Sequence, residues 1–169
     1  MKKIIMKKKV KPKYFILDVD GVITNGKMIY DKSGKKYKTF GPDDLDALKI
    51  LQSFIKIYFV SGDKKGFSIS KRRVTDMGFK VFFVPSLNRA EWIDKKFGLK
   101  NCIYMGDGIF DHLVMKNAIY SVTLKNSLEH VLSAADYITK RNSGNRAVAE
   151  TVIHILKVFF KINFAKMTI

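Results

Sequence analysis

Cysteine is almost absent from the 169-residue sequence, in which Cys102 is the only one. A single cysteine excludes an intramolecular disulfide framework, and its place in the apolar run 101–105 predicts a small buried hydrophobic side chain. Long apolar runs are also missing, since no stretch approaches the roughly 20 residues that a membrane-spanning helix needs. The basic segment 1–9 lacks the apolar core and cleavage site of a signal peptide. We therefore expect a cytoplasmic location and no membrane partner.

Acidic residues are scarce, because 15 Asp and Glu stand against 32 Lys and Arg and leave a formal net charge of +17. Such a charge can neutralise nucleic-acid phosphates, and it can equally attract small anionic substrates. The basic residues are spread along the whole chain, however, and no basic stretch is interleaved with aromatic residues. The pattern is typical of a diffusely basic, solvated surface, and no nucleic-acid partner is expected.

The 47% of apolar residues is enough for one folded domain, expected over 1–169 with a core at about 14–156. Apolar periodicity and turn residues predict strands at 14–17, 27–30, 36–40, 55–60, 80–84, 103–105, 120–122 and 137–138. They predict helices at 42–54, 67–77, 88–97, 110–117, from 128 onward, and at 146–160. This alternation predicts an α/β fold with a doubly wound parallel sheet, into which the segment 27–40 is inserted as a β-hairpin. In such sheets, ligands bind beyond the carboxyl ends of the strands.

The strongest motif is Asp18-Val19-Asp20-Gly21-Val22, directly after the first strand. Two carboxylates one residue apart point the same way in an extended chain, and the glycine permits the turn that follows. One of them can attack phosphorus, and both can take part in binding a metal ion. A polar turn that merely ends a strand is the alternative interpretation.

A second acidic motif, Gly106-Asp107-Gly108-Ile109-Phe110-Asp111, follows the strand at 103–105. Mg²⁺ prefers a few carboxylate oxygens, so Asp107 and Asp18 are predicted to share one ion. Asp111 can orient that site, or it can be an ordinary acidic residue at the start of a helix.

Two further strand ends carry weaker motifs. Ser61 and Gly62 offer a hydroxyl and backbone N–H groups to phosphoryl oxygens, although a plain turn has the same composition. Arg89 offers a cation where a phosphate would carry charge, although a surface arginine near a helix start explains it equally well.

Taken in order, these segments resemble the haloacid dehalogenase superfamily of phosphatases. Its first motif, D-x-D-G-[VT], matches residues 18–22; its second matches Ser61; and its fourth, G-D-x-x-x-D, matches residues 106–111. The space before the first long helix holds only a hairpin and leaves no room for a cap domain. The segment 137–150 is similar to the close of one capless branch, the 3-deoxy-D-manno-octulosonate 8-phosphate phosphatases and their relatives acting on nonulosonate 9-phosphates.

This resemblance implies a Rossmann-like fold and a Mg²⁺-dependent phosphomonoesterase acting on a sugar phosphate for surface polysaccharide. It implies that Asp18 forms the aspartyl-phosphate and that Asp20 protonates the leaving oxygen, activates water and contacts the metal through its backbone carbonyl. It also implies that Asp107 binds Mg²⁺, that Asp111 supports the site, and that Ser61 with Gly62 holds phosphoryl oxygens. The branch forms homotetramers, so a homotetramer is expected as well.

The sequence departs from the family pattern at three places. Arg89 stands where the family has a lysine, and the planar guanidinium is not equivalent to an ammonium. Asp63 follows Gly62 where the family often has arginine, which predicts a negative charge near the pocket mouth that restricts the sugar. The tail loop 143–146 lacks the family's second glycine.

Two other functions remain open from the sequence. One is a nucleic-acid 3′-phosphatase with the same first motif, which salt-dependent DNA binding would favour. The other is a non-catalytic binding or scaffold protein on a retained fold.

Overall fold

The computed structural model describes residues 11–166, so the predictions made for segment 1–9 fall outside the described residues. The strands are β1 (Tyr14–Asp18), β2 (Thr24–Asp31), β3 (Gly34–Phe40), β4 (Lys56–Ser61), β5 (Lys80–Phe83), β6 (Cys102–Met105), β7 (Tyr120–Thr123) and β8 (Tyr137–Ile138). The helices are α1 (Asp44–Leu51), α2 (Phe67–Asp76), α3 (Arg89–Phe97), α4 (Asp111–Met115), α5 (Glu129–Ala134) and α6 (Ala147–Ile155).

Six strands form one parallel sheet in the order β5-β4-β1-β6-β7-β8. The chain builds outward from β1 to one side and returns to build the other side, so β1 lies at the point where the strand order reverses. The last residue of β1, Asp18, pairs in register with Val60 of β4, and Leu17 pairs with Met105 of β6. The predicted α/β, Rossmann-like doubly wound sheet is confirmed, and its ligand crevice is expected at the carboxyl end of β1.

The sheet is buried on both faces because its central strands are continuous apolar runs. Leu17 and Phe59 point to one face and pack with α1 and α6, whereas Ile16 and Val60 point to the other face and pack with residues of α3 and α4. Cys102 belongs to the second cluster and is fully buried, as predicted, and burial raises the pKa of its thiol to about 12.

The hairpin of β2 and β3 forms a separate two-stranded antiparallel sheet between β1 and α1. Its turn is fixed by Asp31, whose Oδ1 accepts hydrogen bonds from the backbone N–H of Ser33 at 2.7 Å and from its hydroxyl at 2.8 Å. The predicted hairpin is therefore present. Among residues 11–166, no helix has the length and apolar character that crossing a bilayer requires.

Two predicted helices are shorter in the structure. The helix predicted at 42–54 begins at Asp44, because Asp43 has a φ of 65° and a left-handed residue cannot continue a right-handed turn. The helix predicted at 146–160 begins after Arg146, which has a φ of 63°, and changes at residue 156 to a wider π-helical turn. In both places the backbone conformation is set by tertiary contact rather than by helical propensity.

Helix α1 caps the start of α6 through a buried carboxylate. Asp44 is 3% exposed, and its Oδ1 accepts the backbone N–H of Ala149 at 3.0 Å. Burial raises the pKa of Asp44 to about 6, and its Oδ2 has no hydrogen-bond partner among the described residues. Beside it, Asp43 pairs with Arg146, which fastens the tail loop to α1.

Candidate active site

The first carboxylate of the site belongs to Asp18 at the end of β1. The side chain is 6% exposed because the preceding apolar residues anchor the strand in the middle of the sheet. Its Oδ1 accepts the N–H of Val19 at 2.8 Å, and its Oδ2 accepts a hydrogen bond from Nη1 of Arg89 at 2.8 Å. These contacts hold both oxygens of Asp18 at the carboxyl edge of the sheet.

The loop after β6 brings two more carboxylates to the same place. One oxygen from each of Asp18, Asp107 and Asp111 lies within 4.8 Å of the others. The oxygens of Asp111 are already engaged, since Oδ1 accepts the hydroxyl of Tyr104 at 2.7 Å and Oδ2 accepts the N–H of Gly108 at 2.9 Å. Oδ1 of Asp107, in contrast, is buried with no hydrogen-bond partner among the described residues.

Crowding and burial disfavour the ionised carboxylates of this cluster. Burial raises the pKa of Asp18 to about 6, with Arg89 acting in the opposite direction. Burial, followed by the charges of Asp18 and Asp111, raises the pKa of Asp107 to about 8. A divalent cation would relieve this repulsion and satisfy the orphaned oxygen of Asp107. The donor set therefore fits Mg²⁺, with Asp107 offering an unpartnered oxygen beside the carboxylates of Asp18 and Asp111.

Arg89 is part of the site and is not a surface residue. It is 1% exposed, and its Nη1 contacts Asp18 Oδ2, Asp111 Oδ1 at 2.8 Å and the oxygen of Tyr104 at 3.0 Å. The charges of these groups raise the pKa of Arg89, although burial alone would lower it. The surface interpretation of Arg89 is thus wrong.

The carboxylate of Asp20 forms a second group beside the first. Its Oδ2 accepts the hydroxyl of Ser61 at 3.1 Å, and its Oδ1 lies 2.7 Å from Nζ of Lys38 on β3. The side chain of Asp20 therefore does not join the other three carboxylates, and a metal contact through its backbone carbonyl stays a prediction from the resemblance. Gly62 follows Ser61 and packs against Ser86, whose hydroxyl would crowd any added Cβ.

The structure also corrects the prediction for Asp63. Its carboxylate, 14% exposed, forms ion pairs with Lys35 and Lys38 of the hairpin. The negative charge is neutralised by these lysines, so Asp63 does not present a free charge to a substrate. Neither lysine was identified from the sequence, because nothing distinguishes them from the other basic residues until the hairpin is folded against the sheet. Tyr104 was missed for a similar reason, since it reads as a core residue of β6.

Two glycines make room for carboxylates of the site. Gly21 has a φ of 81°, and a Cβ there would overlap the carboxylate of Asp107, so glycine allows the motif after β1 to meet the motif after β6. A Cβ on Gly106 would overlap the carboxylate of Asp111, so glycine there lets Asp111 fold back within its own motif.

Comparison with known proteins agrees with this geometry. Residues 92–152 match the family described as haloacid dehalogenase-like hydrolase. The 3-deoxy-D-manno-octulosonate 8-phosphate phosphatase of Haemophilus influenzae is 29% identical over 151 residues, which cover 86% of this chain and 83% of that protein.

Solved structures show the same similarity. The 3-deoxy-D-manno-octulosonate 8-phosphate phosphatase of Moraxella catarrhalis, crystallised with magnesium, phosphate and KDO, has 31% identity and a TM-score of 0.77, with 86% of each chain covered. The cobalt-bound Haemophilus influenzae enzyme has 27% identity and a TM-score of 0.80, covering 91% of this chain and 93% of that one. The chain belongs to the haloacid dehalogenase-like hydrolases, in the group of phosphatases that includes the 3-deoxy-D-manno-octulosonate 8-phosphate phosphatases.

Proposed function

We propose that this protein is a Mg²⁺-dependent sugar-phosphate phosphatase in which Asp18 is the nucleophile. The observation that carries the proposal is the placement of the Asp18 carboxylate, which is fixed by Arg89 and Val19 and lies close to the carboxylate of Asp107, one oxygen of which has no hydrogen-bond partner among the described residues. Phosphoryl transfer depends mainly on positioning and on neutralising charge, and this site supplies both.

Asp18, Asp107 and the backbone carbonyl of Asp20 would hold the ion, and Asp111 would support it. When bound, Mg²⁺ neutralises charge on the phosphoryl oxygens. The pKa of about 6 keeps most Asp18 ionised at neutral pH, despite the burial that raises it. At the end of β4, Ser61 and Gly62 would donate to a phosphoryl oxygen.

The reaction would proceed in two displacements. A carboxylate oxygen of Asp18 forms a bond to phosphorus while the bond from phosphorus to the sugar oxygen breaks, and Asp20 gives that oxygen a proton. Asp20 then takes a proton from a water molecule, whose oxygen attacks phosphorus and breaks the bond to Asp18. The products are the free sugar, inorganic phosphate and the regenerated carboxylate.

The substrate is proposed as an eight- or nine-carbon acidic sugar phosphate, of the 3-deoxy-octulosonate 8-phosphate or nonulosonate 9-phosphate type. The Moraxella catarrhalis relative, whose crystal contains KDO, supports this class. Between β1 and α1 the chain forms the hairpin and no cap domain, which suits a substrate larger than phosphate. A homotetramer and a role in surface polysaccharide synthesis stay predictions from the resemblance.

A phosphate-release screen tests the proposal. The purified protein is incubated with octulosonate 8-phosphate, nonulosonate 9-phosphate, hexose phosphates and a 3′-phosphorylated oligonucleotide, each with Mg²⁺ and with chelator. We expect Mg²⁺-dependent release from an acidic sugar phosphate and none from the Asp18→Asn variant. Release by Asp18→Asn at the wild-type rate would refute the nucleophile assignment, and preference for the oligonucleotide would refute the substrate class.

A further inference from the structure

The hairpin strand β3 carries a lysine whose side chain is fully buried. Lys38 has 0% side-chain exposure, whereas its neighbour Lys36 on the same strand is 41% exposed. Removing an ammonium from water costs several kcal/mol unless other groups replace its hydration. Lys35 on the same strand is also buried, with 3% side-chain exposure, but of the two only Lys38 contacts Asp20.

The ammonium of Lys38 has a full set of acceptors. Its Nζ lies 2.7 Å from Oδ1 of Asp20, 2.8 Å from Oδ2 of Asp63 and 2.8 Å from Oγ of Ser70. A lysine ammonium has three N–H donors, so each donor has one partner. These partners belong to the loops after β1 and β4 and to helix α2, and together they fix the ammonium in one position.

The same contacts fix Asp20. Lys38 engages Oδ1, and the hydroxyl of Ser61 donates to Oδ2, so both oxygens of the carboxylate are oriented. A carboxylate free to rotate would spend much of its time pointing away from the crevice. The lysine thus controls the direction of the side chain to which proton transfer has been assigned.

Asp63 is a second carboxylate partner of the ammonium, with its Oδ2 2.8 Å from Nζ of Lys38. Burial alone would raise the pKa of Asp63, but hydrogen bonds from Lys35 and Lys38 outweigh it and lower that pKa to about 2. Asp63 therefore stays ionised at neutral pH, and its charge helps to hold Lys38 in place.

We propose that Lys38 is a positioning residue for Asp20, through which the hairpin takes part in protonation of the leaving group. The inference rests on the proposed function, because it takes Asp20 as the proton donor. Lys38 touches neither the nucleophile nor the carboxylates of Asp107 and Asp111 in the structure. It acts through Asp20, so losing it slows the steps that need a proton and spares those that do not.

The test compares two esters of similar size that differ in their need for a proton. Phenyl phosphate has a poor leaving group, whereas p-nitrophenyl phosphate releases a stable phenolate without protonation. In Lys38→Met, we expect kcat/KM for phenyl phosphate to fall by about 10²-fold, the order of loss that a 1 Å misplacement produces. For p-nitrophenyl phosphate we expect a loss of less than about threefold, since general-acid catalysis contributes little there.

One variant on the same strand serves as a matched control. Lys36→Met removes a lysine that is 41% exposed and pairs with exposed Asp31. It should keep kcat/KM for both esters within about threefold of wild type, as expected for a surface substitution. Equal losses on the two esters in Lys38→Met, or no loss on either, would overturn the inference.

Two further measurements keep the inference testable if Lys38→Met folds poorly. Ser70→Ala removes one of the three acceptors without leaving a buried charge unpaired, and it should reproduce the selective loss at about three- to tenfold. Adding Lys38→Met to Asp20→Asn should cause no further loss for phenyl phosphate, because residues that act as a unit are not additive. Full additivity in that double variant would count against the inference.

The outcome also separates this inference from the proposed function. If wild-type protein released no phosphate with Mg²⁺ from either ester or from any sugar phosphate of the screen, the proposed function would fall and this inference with it. If the wild type turned over both esters and Lys38→Met matched it, only the role of Lys38 would be lost.

Discussion

Nη1 of Arg89 lies 2.8 Å from Oδ2 of Asp18, and the same nitrogen lies 2.8 Å from Oδ1 of Asp111. One nitrogen of one side chain therefore joins the proposed nucleophile, from β1, to the carboxylate of α4 that is proposed to support the metal site. The Nε atom of Arg89 is buried and has no partner among the described residues. The guanidinium therefore contacts both carboxylates through Nη1, and it does not form a bidentate pair with either of them.

This contact predicts that Arg89→Lys retains activity. An ammonium offers three donors from one nitrogen, which is enough to replace the bonds that Nη1 makes. We expect kcat/KM within about tenfold of wild type for Arg89→Lys, and a loss of about 10²–10³-fold for Arg89→Ala, the usual effect of removing a charge-stabilising donor. Steady-state kinetics with p-nitrophenyl phosphate and Mg²⁺ measures both.

A surface arginine provides the comparison for this pair. Arg72 is 82% exposed and pairs with Asp76 one helical turn away, so Arg72→Ala should leave turnover unchanged. If Arg89→Ala behaved like Arg72→Ala, Arg89 would lie outside the functional site. A collapse in Arg89→Lys would mean that the guanidinium geometry is itself required.

The raised pKa values predict that Mg²⁺ affinity increases with pH. Asp107, with a pKa raised to about 8, holds a proton at neutral pH that a cation must displace. The dissociation constant for Mg²⁺ should therefore fall by about tenfold per pH unit between pH 6 and 7.5, as expected when one proton is released on binding. Near pH 6 the dependence should steepen, because Asp18, with a pKa of about 6, begins to hold a proton as well.

Calorimetry in two buffers of different ionisation enthalpy counts the released protons directly. Asp107→Asn has no proton to lose at that position, so it should bind Mg²⁺ more weakly and release fewer protons at pH 7. Wild-type affinity that is flat from pH 6 to 7.5 would contradict the assignment of Asp107 as a ligand.

The sequence predicts the acidic centre because the strands themselves, and the position of a motif directly after a strand, are local features of the sequence. Asp18 and Asp107 each follow an apolar strand, and the carboxyl ends of parallel strands meet at one edge. For Arg89, the sequence predicts only a cation near the phosphate and none of the contacts that the side chain makes. That it is buried depends on how α3 packs against the sheet, which no periodicity of its own sequence specifies.

The hairpin contribution could not be predicted, since its two faces are chemically alike in the sequence. Lys35, Lys36 and Lys38 follow one another closely, and the pairing of β2 with β3 shifts register between Ile29 and Tyr30. A shift of one residue exchanges the two faces of a strand. Only docking against the loops after β1 and β4 decides that Lys38 turns inward while Lys36 stays exposed.

The close approach at Gly21 predicts a specific effect of adding one methyl group. In Gly21→Ala the new Cβ would overlap the Asp107 carboxylate, at a φ of 81° that disfavours any side chain. We expect Mg²⁺ affinity and kcat/KM each to fall by at least about tenfold. Displacing the Asp107 carboxylate needs to weaken binding by only about 1.4 kcal/mol to have that effect. Calorimetric titration with Mg²⁺ and steady-state kinetics measure the two effects.

Gly34 in the hairpin turn separates the clash from backbone strain. Its φ is 119°, and no atom lies within 4 Å of an added Cβ. Gly34→Ala should therefore lower the free energy of unfolding by about 1 kcal/mol, the cost of a strained φ, and leave Mg²⁺ affinity intact. Equal effects of the two alanines on Mg²⁺ affinity would show that Asp107 is not displaced by the substitution at Gly21.

Asp44 predicts a stability change that depends on pH in a known direction. Burial raises its pKa from 3.8 to about 6, so the folded state holds a proton that the unfolded chain has lost between these values. Its contribution to stability is fully present below about pH 4, and it is lost as the pH rises through about 6.

Asp44→Asn cannot ionise but keeps an oxygen to accept the N–H of Ala149. The free energy of unfolding of the variant minus that of wild type should therefore increase by about 1–3 kcal/mol from pH 4 to pH 7, since each unit of pKa shift corresponds to about 1.4 kcal/mol. Urea unfolding with chelator present at both pH values measures the difference without linkage to metal binding. Asp43→Asn makes the same charge change on a side chain that is 53% exposed. For this control, the difference in free energy of unfolding from wild type should change by less than about 1 kcal/mol between pH 4 and pH 7. If the free energies of unfolding of Asp44→Asn and wild type differed by the same amount at both pH values, the Asp44 carboxylate would ionise freely in the folded protein. That result would contradict its burial against α6.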